Sequence, residues 1–481
     1  MENKKRLLLI LPANVNVILP FSAAKKKHAS LLFGFPIGLG YIASYLLKEG
    51  HYDIKILDAN KDELTIPDII SQIKSFNPDY IGLTMYTVNS KVAVELAKGI
   101  KNNFKDKFVI VGGPHASDSY AGLFSKYPYF DFAVVGEGEI TMHELLNALD
   151  SKDYSKLKDI KGIVYKDPLT KEMVFTGDRP LTKDIDRFLP PAREIVDFNA
   201  YIKKDNLLPY AIEIMGSRGC THRCVFCSFQ KVWRARRSLE IVNEMKDLIK
   251  QYPQTRSFLF FDDNFSANKG RVIELCRVLI DEGLSGYMWS CLCRADQVDK
   301  EMLEWMKKAG CAKIMFGLET ADPQILKNLN KKITPEQVKQ VVELVTKLGM
   351  DAMVFFIIGN PGETVKTVKA SYDFAKKLKC QSTVWSIMQV YPGTALSKLQ
   401  PCEDFVSYLY EPEVDNPVDA ISANIPAFEN PGLNREKMKL MHKKIFRDIV
   451  IYKAFHHPFF ILKKVSRAPF SAFRFLVGIL K

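Results

Sequence analysis

No cysteine precedes Cys220. That excludes a cysteine-held metal cluster in the amino-terminal part of the chain. A disulfide framework is missing too. Of nine cysteines, three fall together and six are scattered, the usage of a reducing compartment. Histidine is scarce, with eight in 481 residues, and only His222 stands near the clustered cysteines. An unbroken apolar span is also absent. Residues 29–47 carry no charge and are long enough to suggest a membrane-crossing helix. However, Gly34, Pro36, Gly38 and Gly40 break the first half, so the stretch reads as a loop running into a buried helix. Residues 4–12 set basic residues before Leu7-Leu8-Leu9-Ile10, but the run is short and ends at Pro12. No small-residue cleavage site follows closely, so it reads as a buried first strand and not a signal peptide. The net charge is +13, yet no nucleic-acid recognition module is visible, and no nucleic-acid partner is expected.

What is present is compact. Gly219-Cys220-Thr221-His222-Arg223-Cys224-Val225-Phe226-Cys227 carries three thiols at C-x-x-x-C-x-x-C spacing. Three thiolates on one tight loop can grip a cube of iron and sulfide, because soft sulfur ligands suit such clusters. A fourth cysteine would close the cluster and leave it only an electron carrier. With three, one iron stays open to a substrate or cofactor. A zinc site is the alternative, although zinc loops usually show two C-x-x-C-like pairs or cysteine with paired histidines.

The rest of the chain alternates apolar strand-like and helical segments. Strands are expected at 7–11, 54–57, 80–84, 108–111 and 133–135, with helices at 39–48, 66–75, 92–103 and 139–149. This order implies a doubly wound, Rossmann-like parallel sheet, and ligands of such sheets bind at the strands' carboxyl ends. Those ends carry Thr84-Met85-Tyr86-Thr87, Gly112-Gly113-Pro114-His115 and Gly136-Glu137-Gly138-Glu139. By composition alone they fit any nucleotide or flavin. Residues 151–205 read as a connector, with a hairpin at 163–166 and 173–176 and a rigid Leu189-Pro190-Pro191 link. Alternation returns with strands at 212–215, 258–261, 288–291, 313–317, 352–358 and 383–390. Helices intervene at 238–251, 272–282, 300–309, 335–348 and 365–378. Six strands suggest a partial (β/α)6 barrel of TIM type over 206–400, with function at the strands' carboxyl ends. Those ends carry Asp262-Asp263, Arg294, Gly317-Leu318-Glu319-Thr320, Gly359-Asn360-Pro361-Gly362-Glu363-Thr364 and Tyr391-Pro392-Gly393-Thr394. Each also has a plain structural reading, such as a helix cap at Asp263 or a turn at Pro361-Gly362. Cys291, Cys293 and Cys311 lack cluster spacing and read as core or, at most, substrate-facing.

Cys220, Cys224 and Cys227, with Phe226 before the last, resemble the signature of the radical S-adenosylmethionine superfamily. The resemblance implies a 4Fe–4S cluster whose open iron is chelated by S-adenosylmethionine, which is cleaved to methionine and a 5′-deoxyadenosyl radical. It places Asp262 and Asp263 at the methionine amino group and Glu319 at the ribose or methionine end. Gly359, Pro361 and Gly362 would border the adenine, and Phe226 would frame it. Residues 1–150 resemble the cobalamin-binding domain that precedes many such barrels. There the resemblance assigns Thr84, Gly112, Gly113, Gly136 and Glu137 to cobalamin. Some cobalamin domains carry D-x-H-x-x-G after the first strand, where the histidine ligates cobalt. Here residues 12–17 hold no histidine, and His28 and His115, the nearest alternatives, read as non-ligands. The implied family is that of the class B radical methyltransferases and the anaerobic porphyrin cyclases.

Residues 401–481 differ in composition. From Asn434 onward there are twelve Lys/Arg against two Asp/Glu. Met438, Met441, Ile445, Ile449 and Tyr452 form a helical apolar stripe. Such a basic helical extension reads either as a peripheral contact with anionic membrane or as a helix packed under the barrel. The expectation is a cytoplasmic enzyme, at most peripheral to the membrane's inner face. It would methylate an unactivated carbon of a small-molecule or lipid-like substrate and take electrons from a flavodoxin or ferredoxin. A radical oxidoreductase or cyclase is the alternative, and a cobalamin sensor or electron-transfer protein is the non-enzymatic one. A tRNA methylthio-transferase would need a second, amino-terminal cysteine cluster.

Overall fold

A computed structural model describes residues 4–13, 34–167, 170–202, 208–399 and 430–456. The chain forms two compact units, one on Met1–Tyr201 with Tyr391–Ala423 and the other on Ile202–Val390 with Asn424–Lys481.

The first unit is built on β1 (Lys5–Leu11), β2 (Tyr52–Asp58), β3 (Tyr80–Thr84), β4 (Phe108–Gly112) and β5 (Phe132–Val134). These pair in parallel in the order β2-β1-β3-β4-β5. Leu7, Leu8, Leu9 and Ile10 are all buried. The absence of alternation in β1 follows from helices on both faces of the sheet. Those helices are α1 (Ile37–Glu49), α2 (Ile66–Phe76), α3 (Ser90–Asn103), α4 (Pro114–Lys126) and α5 (Gly138–Asp150). Thr65 and Asp68 cap α2 reciprocally, which satisfies two orphan donors of its first turn.

Two features differ from expectation. Helix α4 went unpredicted because its sequence, PHASDSYAGLFSK, is rich in residues that compete with helix. Pro114 at its first turn, after the left-handed Gly113, is what starts it. The hairpin expected in the connector is present as β6 (Ile163–Lys166) and β7 (Met173–Phe175). It extends the first sheet to seven strands, β6 adding antiparallel to β5.

The second unit carries the six-stranded parallel sheet of a partial barrel. Its strands are β8 (Ala211–Ile214), β11 (Ser257–Phe260), β12 (Met288–Cys293), β13 (Cys311–Glu319), β14 (Asp351–Ile358) and β15 (Ser382–Ile387), adjacent in that order. A short ladder of β9 (Ser217–Arg218) with β10 (Arg234–Ala235) follows β8. Helices α6 (Ser238–Gln251), α7 (Lys269–Asp281), α8 (Lys300–Lys308), α9 (Pro323–Asn328), α10 (Pro335–Lys347) and α11 (Val365–Lys377) fill the crossovers. Side chains of Asn268, Asp299, Asp322, Thr334 and Thr364 cap α7 to α11 in turn. The doubly wound sheet and the partial barrel are therefore both as the sequence led us to expect. The β13–β14 pairing slips at one point. Gly317 lies opposite Phe355, but Glu319 lies opposite Phe356.

Trp289, Cys291 and Cys293 share one face of β12. Trp289 donates to Ala309 O at the end of α8 at 2.8 Å, so this face is turned to the helices. Cys291 and Cys293, 3.6 Å apart through sulfur, are core residues there. The Tyr391–Thr394 turn, expected at a barrel strand's end, groups instead with the first unit. A Cβ at Gly393 would strike Asp118. After α12 (Ala395–Leu399), the next described helix is α13 (Arg435–His456), which packs on β15 and α11. Met438, Ile445 and Ile449 of the expected stripe are buried against the barrel. His442 Nε2 donates to Trp385 O at 2.8 Å. Three of the stripe's five residues are thus spent on packing, and Met441 and Tyr452 are half-buried. The aromatic and basic residues beyond 456 lie outside the described residues, as do His28 and residues 14–17. Among the described residues, no helix is long and apolar enough to cross a membrane.

Candidate active site

The cysteine loop leaves the carboxyl end of β8 and returns through β10. Pairing of Arg218 with Arg234 and of Ser217 with Ala235 closes its base. Gly219 has φ +82°, and a Cβ there would collide with Val232 O. Only glycine fits both the backbone and the space. Inside the loop, Cys220 N donates to Gln230 O at 2.8 Å and Cys227 N to Cys224 O at 3.2 Å. Lys231 Nζ donates to Cys227 O at 2.9 Å. Cys220 is buried, and Cys224 and Cys227 are half-buried.

The barrel holds this loop from two sides. Behind it stand the two aspartates that follow β11. Asp263 Oδ2 accepts from Gly219 N at 2.8 Å. Asp262 accepts from Gly216 N at 2.7 Å and from Ser217 Oγ at 2.5 Å, and Arg271 Nη1 lies 3.7 Å away. Arg271 Nη2 donates to Gly216 O at 2.7 Å, so both backbone polar groups of Gly216 are held. Burial pushes the Asp262 carboxyl up, and Arg271, Ser217 and Gly216 pull it back. Both Asp262 oxygens are occupied by protein, so the structure gives it a bracing role. Burial also raises Asp263, opposed by the Gly219 amide. In front of the loop, Val225 N donates to Leu329 O at 3.1 Å, and Asn330 Nδ2 donates to Arg223 O at 2.7 Å.

Glu319 ends β13 with φ +75°, a conformation that costs a non-glycine residue about 1 kcal/mol or more. Its Oε1 accepts from Lys331 Nζ at 2.7 Å, and both side chains are nearly buried. The absent side chain of Gly317 leaves the room that this pair fills. The Lys331 ammonium sits 5.8 Å from the centroid of the Phe226 ring, and Arg294 Nη2 donates to Lys331 O at 2.7 Å. Phe226, Glu319, Lys331 and Arg294 thereby join the cysteine loop to the ends of β12 and β13.

The turn after β14 has Gly359 at φ +91° and Gly362 at φ +82°. Glu363 fills it from within, accepting from Gly359 N at 2.6 Å and Asn360 N at 3.1 Å. Burial pushes the Glu363 carboxyl up to about 7, against these donors. Asn328 Nδ2 donates to Pro361 O at 3.2 Å.

At the first sheet's carboxyl ends, Thr84 is buried, and Gly112 closes β4. Gly113 has φ +98°, and a Cβ there would come within 2.8 Å of Met85 O. Gly136 has φ +83° with open space beside it, and its amide donates to Ser117 Oγ at 3.0 Å. Glu137 precedes α5. Tyr86 and Val88 are exposed beside these turns. His115 is buried, with Nδ1 3.1 Å from Thr87 Oγ1.

The residues fit the groups the sequence implies. Three soft thiols on one braced loop suit a cluster, and iron takes them as thiolates. Burial raises the Cys227 thiol, opposed by the Phe229 amide and the Lys231 charge. The bare, left-handed glycine turns of the first sheet suit close approach of a large ring. Sequence reasoning missed Ser217, Arg271, Asn330 and Lys331 as parts of the site. Lys331 begins a Lys-Lys pair that reads as solvated, and nothing in the sequence marks Arg271.

Residues 214–375 match the radical SAM superfamily, and residues 29–146 match the B12 binding domain. The uncharacterised methyltransferase PH0819 of Pyrococcus horikoshii is 35% identical over 395 residues, covering 81% of this chain and 82% of its own. The anaerobic magnesium-protoporphyrin IX monomethyl ester cyclase of Rubrivivax gelatinosus is 29% identical over 370 residues, 75% of this chain. This chain spans only 65% of that cyclase's length. The radical methyltransferase TsrM of Kitasatospora setae, solved with cobalamin and a 4Fe–4S cluster, superposes with a TM-score of 0.64. It is 20% identical and shares the fold over 82% of this chain and 74% of its own. The chain belongs to the cobalamin-binding radical S-adenosylmethionine enzymes, whose cofactors are a 4Fe–4S cluster, S-adenosylmethionine and cobalamin.

Proposed function

We propose that this enzyme methylates an unactivated carbon of a small molecule. The observation that carries the reading is a braced loop with three thiols and no fourth, in a chain that also holds a cobalamin-type sheet. When bound, the three cofactors supply an electron, a hydrogen-abstracting radical and a methyl group.

The chain's own part is placement. Cys220, Cys224 and Cys227 hold the cluster. Asp262, Asp263, Leu329 and Asn330 fix their loop. Asp263 and Glu319 offer carboxylates toward the methionine end of S-adenosylmethionine. Phe226 and the turn through Gly359, Pro361 and Gly362 border its adenine. Thr84, Gly112, Gly113, Gly136 and Glu137 cradle cobalamin within a domain of about residues 1–150. The electron donor is a flavodoxin or ferredoxin. The cyclase relative supports the second reading, oxidation or ring closure without methyl transfer. Mass spectrometry of an anaerobically reconstituted reaction decides between them. A product heavier by one methylene than its substrate supports methylation, whereas loss of hydrogen without added carbon supports the second reading.

A further inference from the structure

We propose that the carboxy-terminal segment is part of the cofactor site: Asn430 and Met438 set the shape of the Gly359–Glu363 turn, and through it the affinity for S-adenosylmethionine. The inference rests on the reading that this turn borders the adenine.

The turn braces itself only in part, through Glu363 N donating to Asn360 O at 2.9 Å. Pro361 has no N–H, and the Glu363 carboxylate satisfies the backbone amides of Gly359 and Asn360 and the Asn360 side chain on the inner side. On the outer side Asn328 meets Pro361 O, and the amide of Gly362 and the carbonyl of Asn360 are met by one residue 68 and 70 positions away. Asn430 Oδ1 accepts from Gly362 N at 2.9 Å, and Asn430 Nδ2 donates to Asn360 O at 3.0 Å. A side-chain amide offers a donor and an acceptor together, so it reads the turn as a neighbouring peptide would. Asn430 is itself buried, so these bonds form away from competing water. A Cβ placed on Gly359 would come within 2.7 Å of Met438 Sδ, so Met438 lies directly against the other glycine of the turn. Both residues are held from behind. Leu433 N donates to Asn430 O at 2.9 Å, and α13 is docked on β15 by the His442–Trp385 bond. The extension therefore fixes both left-handed glycines of a turn supplied by the barrel. Asn430 and Met438 are positioning residues, acting on the cofactor through the turn.

The test uses the full chain, anaerobically reconstituted, with S-adenosylmethionine binding read by equilibrium dialysis. Asn430→Ala is expected to weaken binding about tenfold, the scale of two lost buried hydrogen bonds, with iron and cobalamin content unchanged. Asn430→Asp keeps the acceptor for Gly362 N but not the donor, and should fall between. In the chain without cofactors, hydrogen exchange at Gly362 N should quicken in Asn430→Ala. Gly362→Ala, which strains the turn itself, is the control for the underlying reading. If Gly362→Ala weakens binding while Asn430→Ala does not, the proposal is overturned and the adenine reading stands. If neither weakens it, the adenine reading falls and takes the proposal with it. Should Asn430→Ala also lose iron, Asn430→Asp carries the test, and wild-type affinity in that variant overturns the proposal.

Discussion

The cysteine loop of the barrel is tied to its surroundings through Gly219, Arg223 and Val225, and its base is closed by β9 and β10. The strand-end turns of the first sheet are tied too, by Met85 N to Gly112 O, Ser117 N to Gly113 O and Gly136 N to Ser117 Oγ, but they leave open space beside Gly136. On the proposed function, the difference follows from what each would hold. A cluster is small and its ligands must keep fixed separations, so the chain spends hydrogen bonds on the loop. A corrin is large and approaches backbone directly, so the chain there withholds side chains. In either site one glycine has no room for a Cβ, Gly219 in the loop and Gly113 in the sheet.

The largest effect should come from emptying the loop. Replacing Cys220, Cys224 and Cys227 together with alanine should take iron from about four per chain to none. Visible cluster absorption and 5′-deoxyadenosine formation should vanish, while cobalamin binding persists. Retained cleavage of S-adenosylmethionine would sink the assignment. A crossed pair of substitutions tests whether the two sites act independently. Gly219→Ala forces a methyl group against Val232 O, and Gly113→Ala forces one against Met85 O. The first should lower iron content and spare cobalamin, and the second should do the reverse. Each should exceed tenfold in its own cofactor, more than 1.4 kcal/mol. Equal losses of both cofactors in either variant would dissolve the distinction.

A third effect is smaller and depends on pH. Glu363 has its folded pKa raised by burial from 4.5 to about 7. The folded state therefore binds the proton more tightly than the unfolded chain does. Stability from this group is complete below the unfolded value and declines as pH rises through the folded one, by about 3 kcal/mol in all. Glu363→Gln should remove that decline, so urea midpoints of the two proteins should diverge between about pH 4.5 and 7. Parallel curves would show that the carboxylate is ionised throughout. The smallest effect concerns the tail. Most of its apolar stripe is already packed, which leaves membrane attraction to the basic residues, about 1 kcal/mol each near an anionic surface. Co-sedimentation with phosphatidylserine vesicles should be weak and abolished by salt or by truncation after His456. Binding that ignores both would rule out an electrostatic contact.

The strands and helices were legible because apolar periodicity changes cleanly between them, and Leu7 to Ile10 needed only both faces covered to make sense. Helix α4 was not, since its polar, turn-forming residues are overruled by Pro114 and by packing of Ala116, Leu123 and Phe124. The three cysteines could be read because few chemistries need that spacing. What braces them could not. Arg271 looks like any basic residue on a helix, and Asn330 like any turn residue. Their meaning lies in partners 55 and 107 positions away. Asp262 was visible as a candidate, but the sequence could not say that its oxygens face the chain. Asn430 was hidden for the same reason, since a single asparagine beside Pro431 and Gly432 carries no local signal.

The slipped pairing between β13 and β14 can be read as arithmetic. Alternate residues of a strand face opposite sides, so one extra residue in one strand changes which side chains follow on which face. Leu318 is that extra residue. Up to Gly317 the count serves the sheet, and after it the count serves Glu319. A chain lacking Leu318 would pair β13 with β14 without interruption, at the expense of the carboxylate's station beside Lys331. The strand is one residue longer than its partner requires, and that surplus is where the sheet stops being scaffold.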